Sequence, residues 1–115
     1  MLMPPALQVA FVDFVARCEQ WHGRQLHLRV LLSTNKLNFD RHFTTQDELS
    51  FSLTHSYIRL SGGRLVLQGE GHCYELGVDH LVALEWFETE CVELTEQYSA
   101  TIFRRTILQV VARPE

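Results

Sequence analysis

The N-terminal segment carries its apolar residues at helical spacing. They fall at positions i, i+4, i+7, i+8 and i+11 of one stripe: Leu7, Phe11, Phe14, Val15 and Cys18. Pro4 and Pro5 favour a helix start, where a missing backbone N–H costs little, and Gly23 is a stop signal. Val9 and Val12 widen the stripe. The pattern therefore predicts one helix, over about residues 6–20, that packs deeply against a sheet.

From Gln25 onward the hydrophobic period changes from 3.6 to 2, which is typical of strands with one wet face. Gly62 and Gly63 mark a hairpin turn, because glycine reaches a positive φ without strain. The final segment, residues 98–111, fits either a strand, which its β-branched side chains favour, or a helix capped by Ser99. The other alternating stretches run through residues 26–32, 49–60, 65–67, 74–78, 82–86 and 92–94.

These elements predict an α+β fold that is mainly β. No connection is long and helix-like enough for a parallel crossover, so the strands should be antiparallel. We expect the N-terminal helix to pack on six or seven antiparallel strands, running from about residue 25 to 112, that form a small barrel or half-barrel. The chain contains no repeats, low-complexity tracts or linker, so residues 1–115 should form a single globular domain.

Two stretches resemble the late strands of the Sm-like small barrels. They are YELGVDHLVALEW, residues 74–86, and ATIFRRTILQVV, residues 100–111, whose strand–turn–strand hydrophobic rhythm is similar to that family's. The resemblance implies a small barrel of strongly bent antiparallel strands behind a short N-terminal helix. It also implies nucleic-acid binding as an alternative function.

Composition excludes several classes of protein. The chain is 46% hydrophobic and contains 7 Phe, 3 Tyr and 2 Trp, which is too much apolar surface for a disordered segment. No apolar run reaches the ~20 residues of a membrane span, and the N-terminus lacks the positive charge of an export signal. The 3 cysteines are too few for a disulfide scaffold. These features predict a cytoplasmic protein that does not enter the membrane.

The sequence carries no strong catalytic or metal-binding pattern. No two histidines lie four residues apart in the predicted helix, and no Cys-x-x-Cys occurs. Cys18 lies on the buried helix stripe, and neighbouring glutamates should raise the pKa of Cys91. Asp79 and His80 would form an acid–base dyad only beside a cleft. We therefore expect no metal and no cofactor, and we favour a non-enzymatic protein over an enzyme.

Charge is distributed unevenly along the chain. Residues 1–64 hold 7 basic and 5 acidic side chains, and residues 65–115 hold 3 and 9, which together give the net charge of −4. An acidic strip in the second half consists of Glu85, Glu88, Glu90, Glu93 and Glu96. The strip predicts docking to a basic partner protein or to a second copy, unless these glutamates pair with arginines on neighbouring strands. Arg104 and Arg105 are adjacent in a hydrophobic strand, so one of them should point inward.

The leading functional hypothesis is a binding or regulatory module that acts through protein–protein interaction. Unprotected strand edges also favour self-association, so a homo-oligomer is expected. The second hypothesis is a nucleic-acid-binding barrel, which the acidic net charge disfavours. Its contacts would come from the basic half, with Phe39 and Phe43 for stacking: Arg24, Arg29, Lys36, Arg41, Arg59 and Arg64.

Two further sites follow from the pattern. Residues 33–48 exceed the usual connection length. They predict either a strand edge at Leu37–Phe43 flanked by turns, or a nucleic-acid or ligand loop built on Lys36, Phe39, Asp40, Arg41 and His42. The third hypothesis is a small-molecule binder or enzyme that uses a pocket inside the barrel, lined by His55, Tyr57, His72 and Tyr74.

Overall fold

The structure is a computed structural model that describes residues 3–34, 43–59 and 62–112, with side chains from residue 47 onward in the second range. Its helix α1 spans Pro5–Gln20 and begins with a proline in the first turn. The helix is capped by Trp21, whose backbone N–H bonds to the carbonyls of Arg17 and Cys18. Gly23 follows with a φ of +89°, which glycine adopts without strain. The predicted helix is therefore confirmed.

The described residues form eight strands, where the sequence predicted six or seven. The stretch at residues 49–60 accounts for the difference, because the chain leaves one sheet at Leu53 and Thr54 and enters another at His55. A 3-10 turn at Val78–His80 separates the fifth and sixth strands. The strands are β1 (Gln25–Ser33), β2 (Phe43–Ser52), β3 (His55–Arg59), β4 (Arg64–Gly69), β5 (His72–Gly77), β6 (Leu81–Glu88), β7 (Cys91–Ser99) and β8 (Ile102–Val110).

Two antiparallel sheets replace the expected barrel. The larger sheet has the order β2-β1-β8-β7-β6 and the smaller sheet has the order β3-β4-β5. Within the described ranges the larger sheet does not close, since β2 and β6 are its outer strands. The α+β, mainly β class is confirmed. Of the two expected forms, the closed barrel is wrong, because the chain crosses between the sheets at residues 53–54 and 78–80 and the strands form two separate sheets. The segment that fitted strand or helix is strand β8, paired with β1 and β7.

The core lies between the two sheets and is closed on one side by α1. Phe14, Leu28 and Leu67 bring α1, β1 and β4 into one cluster, and each is fully buried. The helix contacts β6 of the larger sheet and β3 of the smaller sheet. Val9 and Val12 do not join this core, contrary to the sequence pattern, and remain 73% and 68% exposed. None of the described residues forms a helix that is long and apolar enough to cross a membrane.

The two stretches that resemble Sm-like strands take other roles here. Residues 74–86 contain parts of β5 and β6 and the 3-10 turn, so they join two different sheets. Residues 100–111 contain a turn and then the single strand β8, where the resemblance implied a strand–turn–strand unit. The fold does not follow that part of the expectation.

Candidate binding groove

An apolar groove of about 1030 Å³ opens between the N-terminal half of α1 and the beginning of β6. We call it the α1–β6 groove. Its helix wall consists of Gln8, Val9, Phe11 and Val12, with Met3 and Pro4 at the helix start. The opposite wall and floor come from the 3-10 turn, β6 and the end of β7: Val78, Asp79, His80, Leu81, Val82, Gln97, Tyr98 and Ser99.

The groove exists because α1 is fixed to the sheets mainly through its C-terminal half. There Phe14 and Trp21 pack against Trp86 of β6, with ring centroids 6.0 to 6.3 Å apart in the three pairs. Aromatic contacts of this kind contribute about 0.5–1.5 kcal/mol beyond simple burial. Towards the helix start, Val9 and Val12 have no such cluster to pack against and line the groove.

The polar end of the groove is formed by Tyr98, His80 and Asp79. The rings of His80 and Tyr98 pack with centroids 4.5 Å apart. A cleft does lie beside Asp79 and His80, which was the condition for an acid–base dyad. However, the carboxylate of Asp79 lies beside Gly63, where an added Cβ would be 2.7 Å from Oδ2, and the His80 ring lies against Tyr98 and Gly77. The two side chains therefore face different neighbours.

A buried ion pair lies beneath this polar end. Glu96 is fully buried and accepts hydrogen bonds from Arg104 Nε (2.8 Å), Arg104 Nη2 (3.0 Å) and the Gly77 backbone N–H (2.8 Å). The Tyr98 hydroxyl also donates to Glu96. Arg104 donates to the carbonyl of Glu75 at 2.6 Å. Four donors around one carboxylate offset the cost of removing its charge from water.

The surroundings of Tyr98 and Arg104 determine the protonation of both side chains. Burial raises the pKa of Tyr98, and the hydrogen bond and negative charge of Glu96 raise it further, so the phenol stays neutral. Burial lowers the pKa of Arg104, but the hydrogen bond to Glu96 and the surrounding negative groups outweigh it, and the net pKa is raised. Gly77 has no side chain, and a Cβ there would lie 2.9 Å from His80 Cδ2. The charged pair is a support for the groove floor.

The five glutamates of the acidic strip have two different environments. Glu85 and Glu88 of β6 are exposed. Glu90 pairs with Arg24 at 3.0 Å, Glu93 with Arg105 at 2.7 Å and Glu96 with Arg104 at 2.8 Å. Three of the five are thus paired within the chain. Glu93 and Glu96 pair with arginines on the neighbouring strand β8, whereas Glu90 and Arg24 lie outside the strands. Arg104 is the arginine that points inward.

The four residues of the expected barrel pocket do not line the groove. Tyr74 is buried, its hydroxyl bonds to Thr106, and burial raises its pKa to about 12. His72 is exposed and stacks on Phe51 with ring centroids 5.7 Å apart. His55 and Tyr57 are exposed on β3.

The basic residues of the nucleic-acid hypothesis are dispersed. Arg24 pairs with Glu90 at 3.0 Å, Arg59 pairs with Glu75 at 3.3 Å, and Arg64 is half-buried at the start of β4. Arg29 is half-buried on β1. The loop residues Lys36, Phe39, Asp40, Arg41 and His42, and the side chain of Phe43, lie outside the described residues.

Neither thiol chemistry nor metal binding centres on the groove. Burial raises the pKa of the Cys18 thiol to about 12, with a smaller effect of Glu19. The pKa of Cys91 is raised by burial and by Glu88 and Glu93, in the predicted direction. Over the described ranges, no three His, Cys, Asp or Glu side chains come together in a way that would hold a metal ion.

Sequence reasoning missed the groove, although a signal was present. Val9 and Val12 lie beside the main helix stripe, so the apolar surface of α1 is wider near its start than one packed face requires.

No family model matches the chain, and neither does any curated protein or solved structure. Function must therefore be argued from the groove itself.

Proposed function

We propose that this protein is a non-enzymatic peptide-binding module whose α1–β6 groove receives an extended apolar segment of a partner protein. The observation that carries the proposal is the exposure of Val9 and Val12, at 73% and 68%, on the wall of an apolar groove. Covering a valine completely is favourable by roughly 1.5–3 kcal/mol. A partner segment that covers both valines therefore gains binding free energy from two side chains that do not belong to the chain's own core.

The position of β6 favours an extended segment over other occupants. β6 pairs with β7 on one side and is the last strand of its sheet in the described part of the chain. Leu81 and Val82, at the beginning of β6, line the groove. A peptide can add to such an edge as a further strand, with main-chain hydrogen bonds for affinity and alternate side chains in pockets for specificity. Every second side chain would then face Val9 and Val12.

The polar groups at the groove floor support binding over catalysis. The Tyr98 hydroxyl is already donated to Glu96, and Glu96 is held by Arg104 and Gly77. A group that already serves as a buried hydrogen-bond partner is a poor acid or base for a bound molecule.

The three cysteines are free thiols, which suits a reducing compartment, and we accordingly propose that the protein acts in the cytoplasm.

A peptide selection tests the proposal. The intact protein would be used to select from a displayed library of random octapeptides, in parallel with Val9→Glu/Val12→Glu and the matched control Ile58→Glu/Val111→Glu. Ile58 and Val111 are also exposed, at 43% and 39%, but do not line the groove. We expect peptides with apolar residues at alternate positions from the wild type and the control, and loss of that pattern in the groove variant. All three proteins should have similar melting temperatures.

A second measurement checks the mode of binding. Bound peptide should slow hydrogen exchange at the backbone amides of β6 more than at those of β3, one of the two outer strands of the other sheet. Three results would each overturn the proposal: no alternating pattern from the wild type, an unchanged pattern from the groove variant, or a groove that takes a small apolar molecule in native mass spectra while no peptide binds. A dimer by light scattering that Val9→Glu/Val12→Glu dissociates would make a second copy the occupant instead.

A further inference from the structure

The α1–β6 groove carries a single kind of formal charge. Asp79 is exposed and is the one carboxylate among the groove-lining residues, and neither lysine nor arginine lines the groove. Other acidic side chains are compensated within the chain: Glu75, Glu90, Glu93 and Glu96 each pair with an arginine. No ion pair to Asp79 occurs among the described residues. Its exposed carboxylate lies at the margin of the groove, beside Gly63, where a cation of a bound segment can meet it.

From this arrangement we infer that the groove selects partner segments in which a lysine or arginine flanks the apolar residues. The inference rests on the proposed function and adds the chemistry of the partner. Asp79 lies two residues before Leu81, where β6 begins. A strand added to β6 therefore reaches Asp79 just beyond the positions that face Val9 and Val12. A cation there gains a carboxylate partner, and its aliphatic stem can lie along the groove's apolar wall.

Asp79 favours a cation over a neutral or acidic side chain. Tyr98 lines the same groove, but its ring already contacts His80, with centroids 4.5 Å apart, and Arg104, whose guanidinium carbon lies 5.8 Å from the ring centroid. The preference for a cation therefore comes from the Asp79 carboxylate itself. The charges beneath the floor do not alter this preference, because Glu96 and Arg104 neutralise each other. Arg64, at the start of β4, does not line the groove.

The same peptide selection, repeated with Asp79→Asn and Asp79→Lys, tests the inference. Wild type should enrich lysine or arginine at one fixed position next to the alternating apolar residues. Asp79→Asn should keep the apolar pattern and lose the basic position, and Asp79→Lys should replace it with Asp or Glu. Glu88→Gln is the matched control, because Glu88 is an exposed carboxylate of β6 outside the groove. It should give the wild-type pattern.

Titration of the protein with one selected peptide measures how much the basic residue contributes to affinity. Replacing its basic residue by norleucine should weaken binding to the wild type about three-fold at low salt, the size expected for a partly exposed pair. The same replacement should not change binding to Asp79→Asn, and the difference should shrink at high salt. An apolar pattern without a basic position, or a basic position that persists in Asp79→Asn, overturns this inference and leaves the groove function standing. The absence of any apolar pattern overturns both.

Discussion

Glutamate side chains have opposite environments in this protein: Glu96 is buried and Glu88 is exposed. The alternation of side chains along each strand explains most of this difference. Glu96 follows Val92 and Leu94 at a spacing of two, so β7 turns all three towards the core. Arg104 likewise shares a face of β8 with Leu108, and the register places it opposite Glu96. Glu88, near the end of β6, stays exposed. The alternation could be recognised in the sequence, but the cross-strand register could not.

The buried pair gives the first prediction about stability. Glu96→Ala leaves Arg104 half-buried without its carboxylate and removes the acceptor of Gly77 and Tyr98, so it should lower the free energy of unfolding by roughly 3 kcal/mol. Glu88→Ala, at an exposed site, should change it by no more than about 0.5 kcal/mol. Urea unfolding of the two variants measures both values. A loss below about 1 kcal/mol for Glu96→Ala would mean that the pair does not hold the two sheets in place.

At the scale of elements, α1 has two apolar surfaces: one packs into the core and the other lines the groove. The helix boundaries and the buried stripe with Phe11, Phe14 and Cys18 were predicted correctly from the 3.6-residue period. The same period could not show that Val9 and Val12 lie outside the core. Helical spacing indicates which side chains share a face, and the depth to which that face is covered depends on the neighbouring strands.

The two surfaces of α1 respond differently to truncation. Phe14→Ala removes a fully buried ring that contacts Trp21 and Trp86 and should lower the free energy of unfolding by about 3–5 kcal/mol. Val12→Ala, on the groove wall, should change it by less than about 0.5 kcal/mol, since alanine favours the helix and little buried area is lost. Chemical denaturation distinguishes the two. Equal losses would indicate that the groove is closed in solution.

At the scale of the whole molecule, folding brings part of the basic first half against the acidic second half. The first 64 residues are net basic and the remainder is net acidic. In the structure β1 lies next to β8, and arginines of the first half meet glutamates of the second, as in Arg24–Glu90 and Arg59–Glu75. The acidic strip is therefore largely an intramolecular feature, and the partner-facing charge that we propose is Asp79.

Alkaline pH should destabilise the whole molecule. Burial raises the pKa values of Cys18 and Tyr74 to about 12, whereas the same groups ionise near 9.0 and 10.0 when unperturbed. Between these values the folded chain holds protons that the unfolded chain has released. The free energy of unfolding should therefore be unaffected by these groups below pH 9 and should fall from pH 9 towards pH 12.

Urea midpoints measured between pH 8 and pH 11 test this expectation. In Cys18→Ala the part of the decline that begins near pH 9 should disappear, leaving the later part due to Tyr74. Cys73→Ala, which removes an exposed thiol, should follow the wild-type curve. A midpoint that stays constant up to pH 11 in the wild type would contradict the burial of both groups.

The sequence by itself determined the helix, the antiparallel strands and the mainly β class, because these depend on the spacing of apolar residues along one segment. It also determined that Cys18 is buried, since that residue lies on the helix stripe. The tertiary structure decided the division into two sheets, the partners of Glu90, Glu93 and Glu96, and the groove beside α1. These features depend on which segments meet across long distances in the chain, and periodicity within one segment contains no information about such contacts.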